Sequence, residues 1–334
     1  MISVRAPHRI SLFGGGSDTE NHIDLNDSFS SVFGMGIKTY CYVSAVFPSV
    51  PVKNKFRVSY QRVENAQKLS ELEHDLARET LKYFNFDDQI HISSMSDAPA
   101  GTGLGTSSAF TVCLVSLMSS KLGLALNNKQ IAEAAIDIER NKANLNGGIQ
   151  DQIWSSFGGI GCFNFKYDKF KLIKGSNNLE RLLTNNSYLC YLGGNRSSSS
   201  QHDTLKTITN ISQKEISENK NNLANQSLNF SKTESKLSSD DLDSYLKESL
   251  CLSWIEKKKA ISINSQHESL LEALEKKGLS FKLCGAGDTG FLYFYISDEV
   301  TRDTCEKILS INNLTLIKVQ PDLEGVKVIY KEHV

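Results

Sequence analysis

The sequence predicts a mixed helix-and-strand protein of two domains, and three observations carry that expectation. Its 334 residues exceed one minimal core and suit two domains of ordinary size. Strand-like and helix-like patterns alternate along the first half. Around Lys171 to Asn186 the composition turns polar, which sets the boundary and gives domains of residues 1–175 and 176–334.

In order along the chain, Ile2 to Phe13 is a strand that runs into Gly14-Gly15-Gly16. Tyr40 to Phe47 and Phe56 to Tyr60, rich in Val, Tyr and Phe, are two more strands. Leu72, Leu76, Leu81 and Phe84 recur at roughly helical spacing, so Ser70 to Phe84 is predicted helical, with Ser70 as its cap. Ile90 to Met95 is a strand leading into a glycine-rich loop, and helices follow over residues 107–122 and 129–142. Tyr188 to Leu192 is a short strand. Residues 213–239, dense in Asn, Lys, Ser and Glu, read equally as a disordered linker or as polar surface helices. Leu242, Tyr245, Leu246 and Leu250 form a helical stripe. The tail reads as a helix over residues 252–277, strands at Phe281 to Cys284 and Phe291 to Ile296 about a glycine turn, then a helix and a strand.

Composition excludes some functions. Lys plus Arg number 37 and Asp plus Glu 38, so the broad basic surface of a nucleic-acid binder is missing, although a small anionic ligand needs only local charge. The seven cysteines are odd in number and form no CxxC pair. That argues against a disulfide framework or a zinc site and suits reduced thiols in the cytoplasm. The start, MISVRAPHRI, lacks the layout of a signal peptide. Ala109 to Leu126 contains serines and Lys121, and reads as a buried helix instead of a membrane span.

The strongest chemical signal runs from Pro99 to Ala109. Gly101, Gly103 and Gly105 alternate along the loop and allow the backbone to approach a ligand. Thr106, Ser107 and Ser108 follow where a long apolar helix begins, and free amides with the helix dipole favour a phosphate there. A hydroxyl in that first turn can also reach a phosphate-bound Mg²⁺. No Lys follows the last glycine, so this is no Walker A loop; a flexible turn with a Ser or Thr cap is the plain alternative. Cys284 to Phe291 formally holds GxGxxG, but a strand pattern follows it. A tight strand–turn–strand facing a ligand suits it better than a dinucleotide site, with a structural hairpin as the alternative.

Glu139 lies on a predicted helix, and Asp151 sits in the glycine-rich stretch Gly147-Gly148-Ile149-Gln150-Asp151. One carboxylate there can act as base and another can hold Mg²⁺, although exposed or capping carboxylates are far commoner. Arg9, in an apolar strand, needs a partner or a ligand; with Asp18 it flanks Gly14 to Gly16. Arg196 follows Gly193-Gly194 and precedes Ser197 to Ser200. A guanidinium among hydroxyls suits an anion, and an exposed Arg in a polar loop is the equal alternative.

Taken together, Arg5 to Gly14, Pro99 to Ala109 and Lys282 to Phe291 resemble the three motifs of the GHMP kinases, named for galactokinase, homoserine kinase, mevalonate kinase and phosphomevalonate kinase. The resemblance spans nearly the whole chain. Within that family, Gly14 to Asp18, Ile149 to Gln152, Gly193 to Ser198, and Trp254 with Lys257-Lys258 resemble the D-glycero-D-manno-heptose 7-phosphate kinase branch. The resemblance implies an α+β fold. Its N-terminal α/β domain would be ribosomal-protein-like and its C-terminal domain ferredoxin-like, with ATP and Mg²⁺ at their junction. It implies Asp151 as base, Arg9 near the reacting phosphoryl group, and Ser107 with Glu139 on Mg²⁺. Gly101, Gly103, Leu104, Gly105, Thr106, Ser107 and Ser108 would bind ATP. Gly15, Gly16, Asp18, Arg196, Gly285 and Gly287 would line the sugar site. Asp288-Thr289 departs from the glycines usual in the third motif, and a carboxylate there repels phosphate.

The implied reaction moves the γ-phosphoryl group of ATP to a sugar hydroxyl, the anomeric one of a heptose 7-phosphate. A fucose- or galactose-type kinase is the nearest rival. A non-catalytic sugar–nucleotide sensor is the second, and Ser107, Glu139 and Asp151 argue against it. The implied partner is a sugar or sugar phosphate, with no nucleic acid or membrane, and a homodimer is compatible with the sequence.

Overall fold

Two long strands, β1 (Ile2–Phe13) and β2 (Ser30–Val46), are buried along almost their whole length, as strands covered on both faces must be. In the computed structural model, which describes residues 1–19, 30–166, 169–194, 213–259, 261 and 263–332, they form the centre of an eight-stranded sheet. After them come β3 (Phe56–Ser59), β4 (Val63–Ala66), α1 (Asp75–Tyr83), β5 (Ile90–Ser96), α2 (Thr106–Leu122), α3 (Asn128–Asp137), α4 (Gln150–Phe157), β6 (Ile160–Lys166) and β7 (Lys169–Lys174). The second half holds α5 (Asn177–Asn186), β8 (Ser187–Tyr191), α6 (Gln213–Thr233), α7 (Ser239–Lys258), α8 (Ser265–Lys276), β9 (Phe281–Leu283), β10 (Phe291–Tyr295), α9 (Glu299–Ile311), β11 (Ile317–Lys318) and β12 (Lys327–Lys331).

The large sheet runs β12-β1-β2-β5-β3-β4, with β6 on β2 and β7 on β6. Strand β2 is long enough to pair with β6 through Ser30–Met35 and with β5 through Cys41–Val46. The second sheet, β11-β8-β10-β9, is antiparallel throughout. Strand β12 returns to the first sheet and pairs with β1 from Ile2 to Arg5. Mixed α+β architecture is therefore what the chain adopts. Helix α2 is buried on most of its surface between the sheet and its neighbouring helices, as its apolar sequence requires, and among the described residues no helix is long and apolar enough to cross a membrane. All seven cysteines are free.

Several elements differ from the sequence expectation. Ser70 lies in a short 3₁₀ turn; the helix proper starts at Asp75, where His74 accepts the Ala77 amide. The helix expected over residues 129–142 changes at Ile138 into a wider π turn that ends at Lys142. The single helix expected over residues 252–277 is two, because α7 ends at Lys258 and the Asn264 side chain caps a new start for α8. Strand β2 begins ten residues before Tyr40 (at Ser30), and β4, β6 and β7 had no clear signal.

The ambiguous polar stretch is helix α6 from Gln213 to Thr233. It folds because Leu223, Ala224, Ser227, Phe230 and Ser231, spaced three and four apart, share one buried face. The Phe230 ring lies 4.5 Å from Phe13 and 5.0 Å from Phe33, and stacks on Tyr245 of α7 at 5.3 Å. On the same seam the ammonium of buried Lys282 donates to the Leu12 carbonyl at 2.8 Å, and burial lowers its pKa to about 8. Phe230→Ala is expected to cost roughly 3–5 kcal/mol in chemical denaturation, because a fully buried ring is lost from a packed cluster. A loss below about 1 kcal/mol would mean that α6 is not held by this ring.

Candidate active site

The loop between β5 and α2 is built for close approach of backbone. Gly101, Gly103 and Gly105 have φ of 75°, 87° and 76°, a region that favours glycine. A Cβ on Gly103 would lie 2.6 Å from the Cys284 carbonyl oxygen, and one on Gly285 would lie 2.4 Å from Gly103 Cα. The loop and the β9–β10 turn thus pack backbone against backbone, and the Phe291 amide donates to the Thr102 carbonyl at 3.2 Å. Lys257 of α7 places its ammonium beneath this turn, donating to the carbonyls of Leu283 and Gly285. Gly105 is the N-cap of α2 and supplies no side chain to its first turn, which leaves amides there for an anion. Leu104 is buried, and its carbonyl accepts the Arg9 amide at 3.0 Å. Thr106 turns its hydroxyl back toward the Pro99 carbonyl at 3.4 Å.

Ser107 and Ser108 have different settings. Ser107 is exposed on the lip of α2, whereas buried Ser108 donates to Glu139 Oε2 at 3.1 Å. Glu139 sits in the π turn after α3 and is 2 % exposed. Burial raises its pKa, against the opposing charge of Arg140, whose guanidinium lies 3.7 Å from Oε2. Its other oxygen, Oε1, is buried with no hydrogen-bond partner. A carboxylate oxygen with unused acceptor capacity, with Ser107 next in sequence to the serine that holds its other oxygen, fits a hard divalent cation. Among the described residues no group of three or more His, Cys, Asp or Glu forms a metal cage, so phosphates and water would supply the other ligands.

Arg9 and Asp151 meet between the loop and α4. Arg9 Nε and one terminal nitrogen donate to the two Asp151 oxygens at 2.7 and 2.8 Å, and its other terminal nitrogen donates to the Gly103 carbonyl. The sequence put Asp151 on a glycine-rich segment; it lies instead in the first turn of α4, where the helix dipole favours a carboxylate. The Arg9 side chain is 6 % exposed and that of Asp151 is 23 %, so the pair is open to solvent on its carboxylate side.

Asp18 is fully buried and accepts from the amides of Gly16 (3.1 Å) and Gln150 (3.0 Å) and from the Gln150 side chain (2.9 Å). Burial raises its pKa, and Asp151 is near enough to add to the effect. It pins the glycine run to the start of α4, and Gly148 is obligatory because a Cβ there would lie 1.9 Å from Asp18 Oδ2. A Cβ on Gly15 would crowd the Ser11 hydroxyl at 2.9 Å, while Gly16 faces open space. Gly287, in the β9–β10 turn, packs on Ile261, and Asp288 beside it takes φ of 70°. Arg196 lies outside the described residues.

Three contacts escaped the sequence reading: the Ser108–Glu139 bond, buried Lys282, and Lys220 of α6, whose ammonium donates to Thr19 beside Asp18 at 2.8 Å. The signal for Lys220 was the spacing of the α6 stripe, masked by polar composition.

Residues 72–159, which hold the loop, Glu139 and Asp151, match the family model of the GHMP kinases N terminal domain. Over this segment the chain is similar to the GHMP kinases. It is 25% identical over 319 residues to a D-glycero-alpha-D-manno-heptose 7-phosphate kinase of Campylobacter jejuni, covering 88% of this chain and 89% of the relative. A galactokinase of Thermosipho africanus is 27% identical over 165 residues, 47% of this chain and 43% of the relative. Among solved structures, a D-glycero-D-manno-heptose 1-phosphate kinase from Bacteroides thetaiotaomicron shares the fold over 100% of both chains, with a TM-score of 0.76 and 21% identity.

The buried carboxylate of Glu139 carries a pH signature. The folded pKa of Glu139 lies above its ordinary value of 4.5, so its ionisation opposes folding as pH rises past that value and has no effect below it. Glu139→Gln is therefore expected to stabilise the nucleotide-free protein at pH 8. The gain should shrink as the pH falls toward 4, while Mg²⁺-dependent nucleotide affinity drops. Melting curves across pH and calorimetric titration check both, and a variant that melts below wild type at pH 8 contradicts the raised pKa of this buried carboxylate.

Proposed function

We propose that this protein is a sugar kinase that uses ATP and Mg²⁺ to phosphorylate the anomeric hydroxyl of D-glycero-D-manno-heptose 7-phosphate. The observation that carries the proposal is the Arg9–Asp151 pair, fixed by two parallel hydrogen bonds against the glycine loop and open to solvent on the carboxylate side. The acceptor is proposed from the Campylobacter relative, whose match runs through most of both chains.

On this reading the amides at the start of α2 and the loop residues Gly101 to Ser108 hold the nucleotide phosphates. Ser107 and Glu139 Oε1 hold Mg²⁺, which when bound neutralises charge on the β- and γ-phosphates. The acceptor hydroxyl points at Asp151. Its proton passes to the carboxylate as its oxygen bonds to the γ-phosphorus, and the bond from that phosphorus to the β–γ bridging oxygen breaks, releasing ADP. Arg9 keeps the carboxylate in one orientation, and its positive charge offsets charge spread over the transferring group. Asp18 and the Gly15–Gly16 backbone form the floor on which the sugar rests.

An ADP-release assay over sugars and sugar phosphates tests the acceptor. Turnover of heptose 7-phosphate well above that of galactose or fucose is expected. Preference for an unphosphorylated sugar would overturn the heptose-phosphate reading in favour of a galactose- or fucose-type kinase. Asp151→Asn keeps the shape of the side chain and removes the proton acceptor. Its turnover should fall by roughly 10²–10⁴ with nucleotide affinity little changed, and wild-type turnover in that variant would remove Asp151 from the role of base.

A further inference from the structure

We infer that Lys220 is the cation that receives the phosphate already carried by the acceptor sugar. The inference rests on the proposal that this acceptor is a sugar phosphate.

Position makes the first part of the case. The buried face of α6, Leu223, Ala224, Ser227, Phe230 and Ser231, is anchored to the large sheet, with the Ser227 hydroxyl 3.0 Å from that of Ser31 and Phe230 wedged between Phe13 and Phe33. One turn toward the helix start, the same face reaches Lys220. A lysine serving only solubility belongs on the opposite face, where α6 carries Asn222, Asn225 and Asn229.

Its surroundings make the second. The ammonium donates to the neutral Thr19 hydroxyl at 2.8 Å and has no ion pair among the described residues. Three donor hydrogens meet one hydroxyl, which leaves two without a partner among the described residues. Burial works against the charge, and buried Asp18, already occupied by three donors, is the carboxylate whose field favours it. A half-buried ammonium in that setting is completed by an anionic oxygen.

The order of contacts shows which anion. Lys220 touches Thr19; the adjacent Asp18 holds Gln150; the adjacent Asp151 holds Arg9; and Arg9 holds Gly103 of the glycine loop. The lysine stands at one end of this series and the nucleotide loop at the other, with the proposed base between them. A sugar whose phosphate lies at the far end from its reacting hydroxyl spans such a site with the hydroxyl at Asp151 and the phosphate at Lys220. A nucleotide phosphate on the loop would not meet the lysine.

The test is steady-state kinetics on the full chain with Lys220→Met and Lys220→Arg, using heptose 7-phosphate and ATP, with folding checked by thermal melting. In Lys220→Met, KM for the sugar phosphate is expected to rise about tenfold or more, with kcat and KM for ATP held within about twofold. Lys220→Arg should recover most of the loss. Added salt should weaken the sugar phosphate in wild type more than in Lys220→Met, a difference that a purely structural lysine does not give. If Lys220→Met melts early, Lys220→Gln takes its place. An unchanged KM for heptose 7-phosphate, or an equal rise for ATP, overturns the role of Lys220 while wild-type turnover keeps the acceptor reading intact. Wild type that turns over only unphosphorylated sugars overturns the acceptor reading, and the role of Lys220 with it.

Discussion

One guanidinium organises this protein. Arg9 comes from the middle of the central strand, and its three hydrogen-bonding nitrogens reach the glycine loop and both oxygens of the first carboxylate on α4. A buried charge without partners would be too costly to keep in an apolar strand. The strand, the loop and the helix therefore have to arrive together for the charge to be satisfied. The loop in turn depends on the β9–β10 turn, because Gly103 and Gly285 approach so closely that neither tolerates a side chain. Local requirements of four separate chain segments are met at one place.

That dependence explains which features the sequence disclosed. Arg9 was legible because a charge inside an apolar run demands an explanation. The glycines of the loop and of the β9–β10 turn were legible because backbone–backbone contact leaves glycine as the sole residue that fits. Asp151 and Glu139 were legible chiefly through the resemblance, since carboxylates on helices are common. Helix α6 was obscured because its buried face mixes serines with apolar residues and its outer face is crowded with Asn. The break between α7 and α8 was equally hidden, since apolar spacing continues across a gap that only the cap at Asn264 marks. Neither the π turn that carries Glu139 nor the long-range pairing of β12 leaves any local pattern, because each is fixed by partners far along the chain.

The polar groups around the site divide into those that are complete and those that are not. Asp18 is complete, with three donors, and its part is to fix the geometry of the glycine run. Glu139 Oε1 and the ammonium of Lys220 keep unused hydrogen-bonding capacity among the described residues. A polar group left so lowers the stability of a folded protein, and anything that binds there raises it.

The pairing of β12 with β1 bears on how the chain acquires its shape. During synthesis β1 emerges first, yet one of its two edges stays without hydrogen-bond partners until β12 has been made. Through that interval the nascent sheet presents an open row of amides and carbonyls at its centre-side strand, the kind of surface on which other chains pair. A fragment of residues 1–175 would keep that edge open permanently. The large sheet, which holds most of its strands in one continuous stretch, is therefore completed on that side by a segment that follows the second sheet in the chain.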